Sequence, residues 1–213
     1  FTSNEESRIE LALRNFAGWG ELLVIDNYST DRTVEIVRRY TDNIVFHRNS
    51  GHLDDAATYQ VVCQNARTDW VYRGFAGEAV PYELLVEMSR ITQSEGVSVV
   101  RIAKRNISYG VETRNWALGY HPRLARKTGI SFDGCGIHAL GRIIASSRQV
   151  VTLPRSSCYC IYQFRDYNVE LTAKSFASYI KLDVGEAYAT KSVRFSPVRQ
   201  ILLPLYVFIT SYT

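Results

Sequence analysis

Features that would assign the chain to a special class of protein are scarce in its sequence. No apolar stretch reaches the roughly 18 residues that a membrane-spanning helix needs, so we expect no such helix. The net charge is only +4 and the basic residues are dispersed, which argues against a nucleic-acid partner. The closest cysteines, Cys158 and Cys160, have neither a zinc spacing nor a redox Cys-x-x-Cys spacing. We therefore expect reduced thiols in a cytoplasmic protein.

Length and composition predict one main domain. The 213 residues are 46% apolar and 22% charged, which is ordinary for a globular protein. We expect this domain over residues 1–150 and a C-terminal helical extension over residues 151–213. The chain begins without methionine and ends in the apolar run "VRQILLPLYVFITSYT", so we interpret both ends as cuts in a longer protein. The basic residues before this run leave two alternatives, which are peripheral membrane contact and burial against the rest of the chain.

Apolar periodicity predicts an α/β fold. Short apolar runs at 21–26, 43–48, 69–75 and 97–105 indicate strands, and amphipathic segments at 6–19, 30–40, 54–66 and 81–96 indicate helices. Such alternation is typical of a mainly parallel sheet flanked by helices. After Asn106 the alternation stops, and residues 107–150 predict an irregular segment. Long irregular segments attached to such a sheet usually carry binding residues.

The join between the first predicted strand and the next helix reads "VIDNYSTDRT". Asp26 stands where the carboxyl end of a parallel strand opens into the crevice that binds ligands in open α/β sheets. A structural role is the alternative, because Asp and Asn are common in turns. In the same stretch Ser29 or Thr30 is suited to cap the helix, and Asp31 is suited to its first turn.

Three motifs stand together: "SNEES" at 3–7, "VIDNYSTDRT" at 24–33 and "TDWVYRGFAGEAVPYELL" at 68–85. In order and spacing they resemble the family 2 glycosyltransferases of the GT-A fold. The segments "HPRLARK" at 121–127 and "GCGIHALGRI" at 134–143 look like the lipopolysaccharide-core subgroup of that family. The resemblance implies an inverting sugar transfer from a nucleotide-diphospho-sugar to a glycan or lipid-linked glycan, at the inner face of a membrane.

The resemblance also implies where the donor binds. In the family, the loop after the first strand and the acidic end of the second hold the base and ribose of the donor. The corresponding residues here, which we predict to bind a donor, with UDP-sugar favoured, are Asn4, Glu5, Asp26 and Asn27. An acidic side chain accepts a hydrogen bond from the uracil ring N–H or from a ribose hydroxyl.

The third motif departs from the family at the metal site. Aligned on Trp70 and Glu78, the positions of the two metal-binding aspartates hold Phe75 and Gly77, which offer no side-chain oxygen to Mg²⁺ or Mn²⁺. Without that ion, cations are needed for the charge on the leaving diphosphate. The candidates are Arg73, Arg123 and Arg126. Glu78 has three alternatives: a weak metal ligand, a group acting on the acceptor, and a loop carboxylate.

An inverting transfer also needs a base near the acceptor hydroxyl. The predicted catalytic residues are Glu78, Asp133 and His138, although a structural role for His138 is an equal alternative. Trp116 is predicted to stack on a sugar, with a place in the core as its alternative. The loss of both aspartates leaves a second function open, a degenerate domain that binds a nucleotide, a glycan or a partner protein. A nucleotidyltransferase is disfavoured because no Gly-rich phosphate loop with a lysine occurs near the amino terminus.

Overall fold

The computed structural model describes residues 1–49, 55–108, 110–112, 119–135 and 140–164. All of them fall within the first of two compact units, Phe1–Arg165, and the second unit is Asp166–Thr213. Residues 151–152 and 160–164, which the prediction assigns to the C-terminal extension, belong to strands of the main sheet in the first unit. The predicted C-terminal helix lies outside the described residues. Within the described part of the chain, no helix combines the length and apolarity needed to cross a membrane.

The described residues include four α-helices, each inside a predicted range: α1 (Ile9–Phe16), α2 (Thr33–Val37), α3 (Ala56–Asn65) and α4 (Tyr82–Thr92). Local sequence explains where two of them begin. The Asp55 carboxylate accepts a hydrogen bond from the Thr58 backbone N–H at 2.6 Å and caps α3. Pro81 directly precedes α4, where a missing N–H costs nothing.

The strands of the described residues are β1 (Val24–Asp26), β2 (Ile44–Phe46), β3 (Trp70–Tyr72), β4 (Glu78–Ala79), β5 (Val99–Ser108), β6 (Val111–Glu112), β7 (Tyr120–Arg126), β8 (Ile130–Ser131), β9 (Arg142–Ile143), β10 (Val150–Thr152) and β11 (Cys160–Phe164). The four predicted strands are present as β1, β2, β3 and β5, so the α/β alternation read from the sequence is confirmed. Two short 3₁₀ turns, Ser147–Gln149 and Ser157–Tyr159, precede β10 and β11.

The main sheet is built around β5. Its order is β3-β7-β5-β11-β4, and β10 and β6 also pair with β5. β10 and β11 run parallel to β5, whereas β7 runs antiparallel to it. β1 and β2 form a parallel pair of their own, and β8 and β9 form an antiparallel pair. The carboxyl ends of β1 and β3 each lead into a loop that carries a predicted motif.

β7 lies within the segment predicted to be irregular. Its sequence, "YHPRLAR", contains a proline and three basic residues, which are poor strand signals. The sheet accommodates Pro122 at an irregularity, because the β5–β7 register shifts between Val100 and Arg101. Tertiary pairing with β5 and β3 therefore overrides the local sequence preference.

Two of the three apolar clusters in the described residues hold α1, α2 and α4 in place. One packs α4 against the main sheet and includes Leu84, Ile102 and Ile161, all without solvent exposure. The other packs α1 and α2 against β1 and includes Leu13 and Val37. A cavity of about 520 Å³, lined mostly by apolar side chains of α1, β1, β3 and α4, lies among these elements.

Candidate functional site

Two loops meet at the carboxyl end of β1. We call residues 2–6 the amino loop and residues 26–33 the β1 loop. The Thr2 N–H donates to the Ile25 carbonyl at 3.0 Å, and the Asn27 N–H donates to the Thr2 carbonyl at 3.0 Å. These bonds place Thr2 beside Asp26 as a parallel bridge. The predicted donor-binding residues Asn4, Glu5, Asp26 and Asn27 therefore lie in two loops that are joined through their backbones.

Asp26 is fully buried at the end of β1. Its Oδ2 accepts a hydrogen bond from the Ser29 N–H at 2.8 Å, and its Oδ1 accepts one from the Ser29 hydroxyl at 2.5 Å. The carboxylate thus builds the turn, which is the structural alternative weighed from the sequence. A carboxylate has about four acceptor positions, so two bonds to Ser29 leave a ligand role compatible with this geometry. Binding of a donor by Asp26 stays a prediction.

Asn4 locks the amino loop onto the β1 loop. Its N–H donates to the Ser29 hydroxyl at 2.9 Å, and its side-chain oxygen accepts from the Thr30 N–H at 2.8 Å. Asn4 has a φ of 54°, a left-handed conformation that asparagine tolerates better than most residues. Within the β1 loop, Asn27 donates from Nδ2 to the Asn49 side-chain oxygen at 3.1 Å.

The side chain that binds the first residue of α2 is that of Asp31, rather than that of Ser29 or Thr30. Its Oδ1 accepts hydrogen bonds from the Thr33 N–H at 3.0 Å and the Thr33 hydroxyl at 2.5 Å. Partial burial raises the pKa of Asp31, but the bonds from Thr33 and from the Glu6 backbone outweigh it, so this pKa lies below its ordinary value. The predicted cap is wrong because Ser29 is committed to Asp26 and Thr30 to Asn4.

The loop after β3 holds a buried ion pair. Glu78 is fully buried, and its Oε1 accepts a hydrogen bond from Arg123 Nη2 at 2.7 Å. Its Oε2 accepts from the Phe75 N–H at 3.2 Å. The Arg123 guanidinium also lies 4.5 Å from the centre of the Phe75 ring, a cation–π contact. This placement favours the loop-carboxylate alternative for Glu78 over the predicted catalytic role.

The three arginines predicted to meet the donor diphosphate are held by protein groups. Arg73 and Arg123 are each only 4% exposed, and Arg73 donates to the Pro122 and Leu140 carbonyls. Arg126 donates from Nε to the Val97 carbonyl at 3.1 Å and stacks over Trp70. Both Arg73 and Arg123 are almost fully buried, and their binding of a donor diphosphate stays a prediction.

The residues present do not fit a divalent metal ion. Phe75, Ala76 and Gly77 supply no side-chain oxygen, and Glu78 is paired with Arg123. Among the described residues, no group of three or more His, Cys, Asp or Glu side chains could hold a metal ion. Mg²⁺ and Mn²⁺ require several hard oxygen ligands, which this loop does not provide.

A guanidinium stands beside Gly77, the position at which the family resemblance predicts a metal-binding aspartate. A β-carbon added at Gly77 would lie 2.9 Å from Arg8 Nη1 and 3.1 Å from the Phe164 carbonyl oxygen. Arg8 forms a bidentate pair with Glu5, at 2.8 Å from Nε and 2.7 Å from Nη2. Arg8 Nη1 donates to the Phe164 carbonyl at 3.2 Å. Sequence reasoning missed Arg8, and the one signal for it is its place immediately after the "SNEES" motif.

The predicted acceptor-side residues are only partly within the described chain. Asp133 is exposed and its Oδ2 accepts a hydrogen bond from the Ser131 hydroxyl at 2.9 Å. His138 and Trp116 lie outside the described residues. Burial and then the positive charges of Arg123 and Lys104 lower the pKa of His121 to about 3, so this histidine is neutral in the fold at pH 7. The cavity described above is lined by Arg73 but by none of Asn4, Asp26 or Asp133.

Comparisons with known proteins give matches in sequence and in fold. The model of "Glycosyl transferase family 2" matches residues 2–144. An uncharacterized glycosyltransferase of Rickettsia bellii (strain RML369-C) is 32% identical over 97 residues, which make up 44% of this chain and 31% of that protein. The chain thus spans about a third of this curated relative.

Solved structures of S. aureus TarS 1–349 share the fold. The complex with UDP-GlcNAc has a TM-score of 0.53 and 15% identity, over 80% of this chain and 58% of that one. The complex with UDP has a TM-score of 0.50 and 17% identity, over 78% of this chain and 59% of that one. This likeness confirms the predicted GT-A-like α/β class, and the described site lies within the matched range 2–144 except for Phe164.

Proposed function

The chain belongs to glycosyl transferase family 2, and from this premise we propose that it transfers a sugar from a nucleoside diphosphate sugar to a glycan or lipid-linked glycan. The observation that carries the proposal is the pair of interlocked loops at the carboxyl end of β1, within the range that the family model matches. Crevices at this end of parallel strands are where open α/β sheets bind ligands. The proposed donor is a UDP-sugar, since the similar S. aureus protein has been solved with UDP-GlcNAc and with UDP.

The proposed reaction proceeds with inversion at the anomeric carbon. The acceptor hydroxyl oxygen attacks that carbon from the face opposite the diphosphate, and a new carbon–oxygen bond forms. The bond from the carbon to the diphosphate oxygen breaks, and its electron pair leaves with UDP. The acceptor proton passes to a base, for which we propose the exposed carboxylate of Asp133, with His138 as the alternative.

The proposed acceptor side follows from the second half of the chain. Its "HPRLARK" and "GCGIHALGRI" segments resemble the lipopolysaccharide-core subgroup, which supports a glycan or lipid-linked acceptor. Such an acceptor fits a cytoplasmic enzyme that meets the inner face of a membrane. Peripheral contact through the C-terminal apolar run is part of this proposal, and co-sedimentation of the chain with anionic lipid vesicles tests it.

The absence of a metal-binding loop favours a second candidate function. A domain whose loop holds Phe75 and Gly77 in place of two carboxylates, and whose Glu78 is paired with Arg123, would retain nucleotide binding without transfer. The two functions differ in one observable. Both predict binding of UDP, but only a transferase releases UDP from UDP-GlcNAc when a glycan acceptor is supplied.

The deciding experiment measures UDP release and UDP affinity on the same preparation. Asp26→Asn removes the carboxylate charge, and we expect it to weaken UDP binding at least about tenfold, the effect of losing one hydrogen bond to a charged group. Ser29→Ala is the matched control, because it disturbs the same turn and leaves the carboxylate in place. Equal UDP affinity in wild type and folded Asp26→Asn would remove Asp26 from the donor site.

A further inference from the structure

A leaving diphosphate needs positive charge beside it, and the loop after β3 cannot supply that charge through a metal ion. This problem rests on the proposed function, because it arises only if the chain binds a nucleoside diphosphate sugar. Arg73 and Arg123 do not solve it, since each of them is only 4% exposed. A cation with access to the crevice is required.

Arg8 lies between the two parts of the predicted donor site. On one side it is paired with Glu5 of the amino loop, and the Glu5 N–H donates to the Thr33 hydroxyl at 2.7 Å. On the other side its Nη1 is next to Gly77 in the loop after β3. A diphosphate that joins a nucleoside at the β1 loop to a sugar near residues 75–78 crosses the space between these loops.

Gly77 leaves room for this placement of Arg8. A side chain at position 77 begins with a β-carbon 2.9 Å from Arg8 Nη1, a distance at which an atom must shift, and 3.1 Å from the Phe164 carbonyl oxygen, which is tighter than most real β-carbon contacts. An aspartate at this position would therefore displace the guanidinium or the β11 end. The glycine that removes a metal ligand is the same glycine that makes room for a cation.

Exposure separates Arg8 from Arg73 and Arg123, which are each only 4% exposed, while Arg126 is held by the Val97 carbonyl and the Trp70 ring. The Arg8 side chain retains 24% of its exposure, whereas the Arg123 side chain retains 4%. Arg8 also directly precedes α1, so the positive end of that helix dipole lies at the same place. A guanidinium is the side chain best suited to phosphate oxygens, because its planar donors match them in pairs.

From these contacts we infer that Arg8 binds the donor diphosphate and that this chain binds its nucleotide without a divalent metal ion. Glu5 acts on Arg8 in this arrangement, because its bidentate bonds fix the orientation of the guanidinium plane. Arg123 has a separate task, which is to neutralise the Glu78 carboxylate that remains in the former metal loop.

The test is calorimetric titration with UDP and with UMP, each in Mn²⁺ and in EDTA. Wild-type protein is expected to bind UDP with the same affinity, within about twofold, in both conditions. Arg8→Gln is expected to weaken the affinity for UDP at least about tenfold, which is the effect of losing one charged hydrogen bond, and the affinity for UMP by much less. Arg14→Gln is the matched control, since Arg14 lies on α1, is 71% exposed and is paired with Glu10.

Three results would contradict the inference and remain distinguishable from failure of the proposed function. If wild-type protein binds UDP only with Mn²⁺, or if Arg8→Gln and Arg14→Gln bind UDP with equal affinity, the inference is overturned and the proposed function is not. If Arg8→Gln loses affinity for UDP and for UMP equally, Arg8 has a structural role, and the inference is overturned as well. No binding of UDP by wild type in either condition overturns the proposed function and this inference together. If Arg8→Gln does not fold, Arg8→Lys keeps the charge without the paired donors and is expected to show the same selective loss for UDP.

Discussion

The buried pair between Glu78 and Arg123 permits a quantitative prediction. We expect Glu78→Gln and Arg123→Met each to lower the free energy of unfolding by about 3 to 5 kcal/mol, the usual cost of leaving one member of a buried ion pair alone. The pair has an N–O distance of 2.7 Å, and its side chains are 0% and 4% exposed, so water cannot replace the missing partner. The variant Arg123→Met also strands the Arg73 carbonyl, which accepts from Arg123 Nη1 at 2.9 Å.

The double variant Glu78→Gln with Arg123→Met separates pairing from other causes. The double variant carries neither charge of the pair, so no unpaired charge remains buried. We expect its loss of unfolding free energy to be smaller than the sum of the losses in the two single variants by about 2 kcal/mol or more, which is the coupling energy of the pair. The methionine also retains contact with the Phe75 ring, over which Arg123 lies.

The assay is urea unfolding of the four proteins, monitored by tryptophan fluorescence, with UDP affinity measured on each. Additive losses would refute the ion pair as the main contribution of these residues. A catalytic role for Glu78 would show differently, as a Glu78→Gln protein of nearly wild-type stability that binds UDP but does not release it from UDP-GlcNAc. A rise in the wild-type unfolding temperature on adding Mn²⁺ would contradict the conclusion that the loop does not fit a metal ion.

Two further predictions concern pH and packing. The pKa of His121 is about 3 in the fold and about 6.5 in the unfolded chain, so between these values only the unfolded chain binds the proton, and the free energy of unfolding falls as pH decreases from about 6.5 to 3. We expect His121→Gln to flatten this part of the curve of unfolding free energy against pH. An unchanged slope would contradict the burial of a neutral imidazole. Gly129→Ala should lower the free energy of unfolding in urea by about 1 to 3 kcal/mol, because its β-carbon would lie 2.8 Å from the Ser98 carbonyl oxygen. Gly20→Ala is the control, and it should leave the free energy of unfolding nearly unchanged because nothing lies within 4 Å of the added carbon.

Local sequence was sufficient for the alternating part of the fold. The helices and strands up to β5 are signalled by apolar periodicity and by residues such as Asp55 and Pro81 at helix starts. β7 is not, because its strand conformation comes from pairing with β3 and β5 rather than from its own residues. The place of β11 in the sheet is also set by non-local pairing, since β11 joins a strand that is more than fifty residues earlier in the chain.

The candidate site divides in the same way. Motif spacing predicts that Asn4 and Asp26 lie close together, and in the structure both are hydrogen-bonded to Ser29. The partners of Glu78 and Gly77 were beyond sequence reasoning. Glu78 meets a residue 45 positions away and Gly77 contacts residues 8 and 164, and no local pattern encodes such distances. Which arginine is buried and which remains accessible depends on that packing.

The interlocking of the amino loop with the β1 loop affects how this protein can be re-engineered. The Asn4 and Glu5 backbones are bonded to Ser29 and Thr33, so this region at the carboxyl end of β1 is assembled from two peptides about 25 residues apart. Transplanting one loop from a relative with another donor preference would break bonds that the other loop needs. A swap of specificity would have to exchange both loops as one cassette. In a mutational scan, substitutions at Asn4 or Ser29 would lower protein abundance before their effect on the ligand could be read, so binding and yield have to be scored separately there.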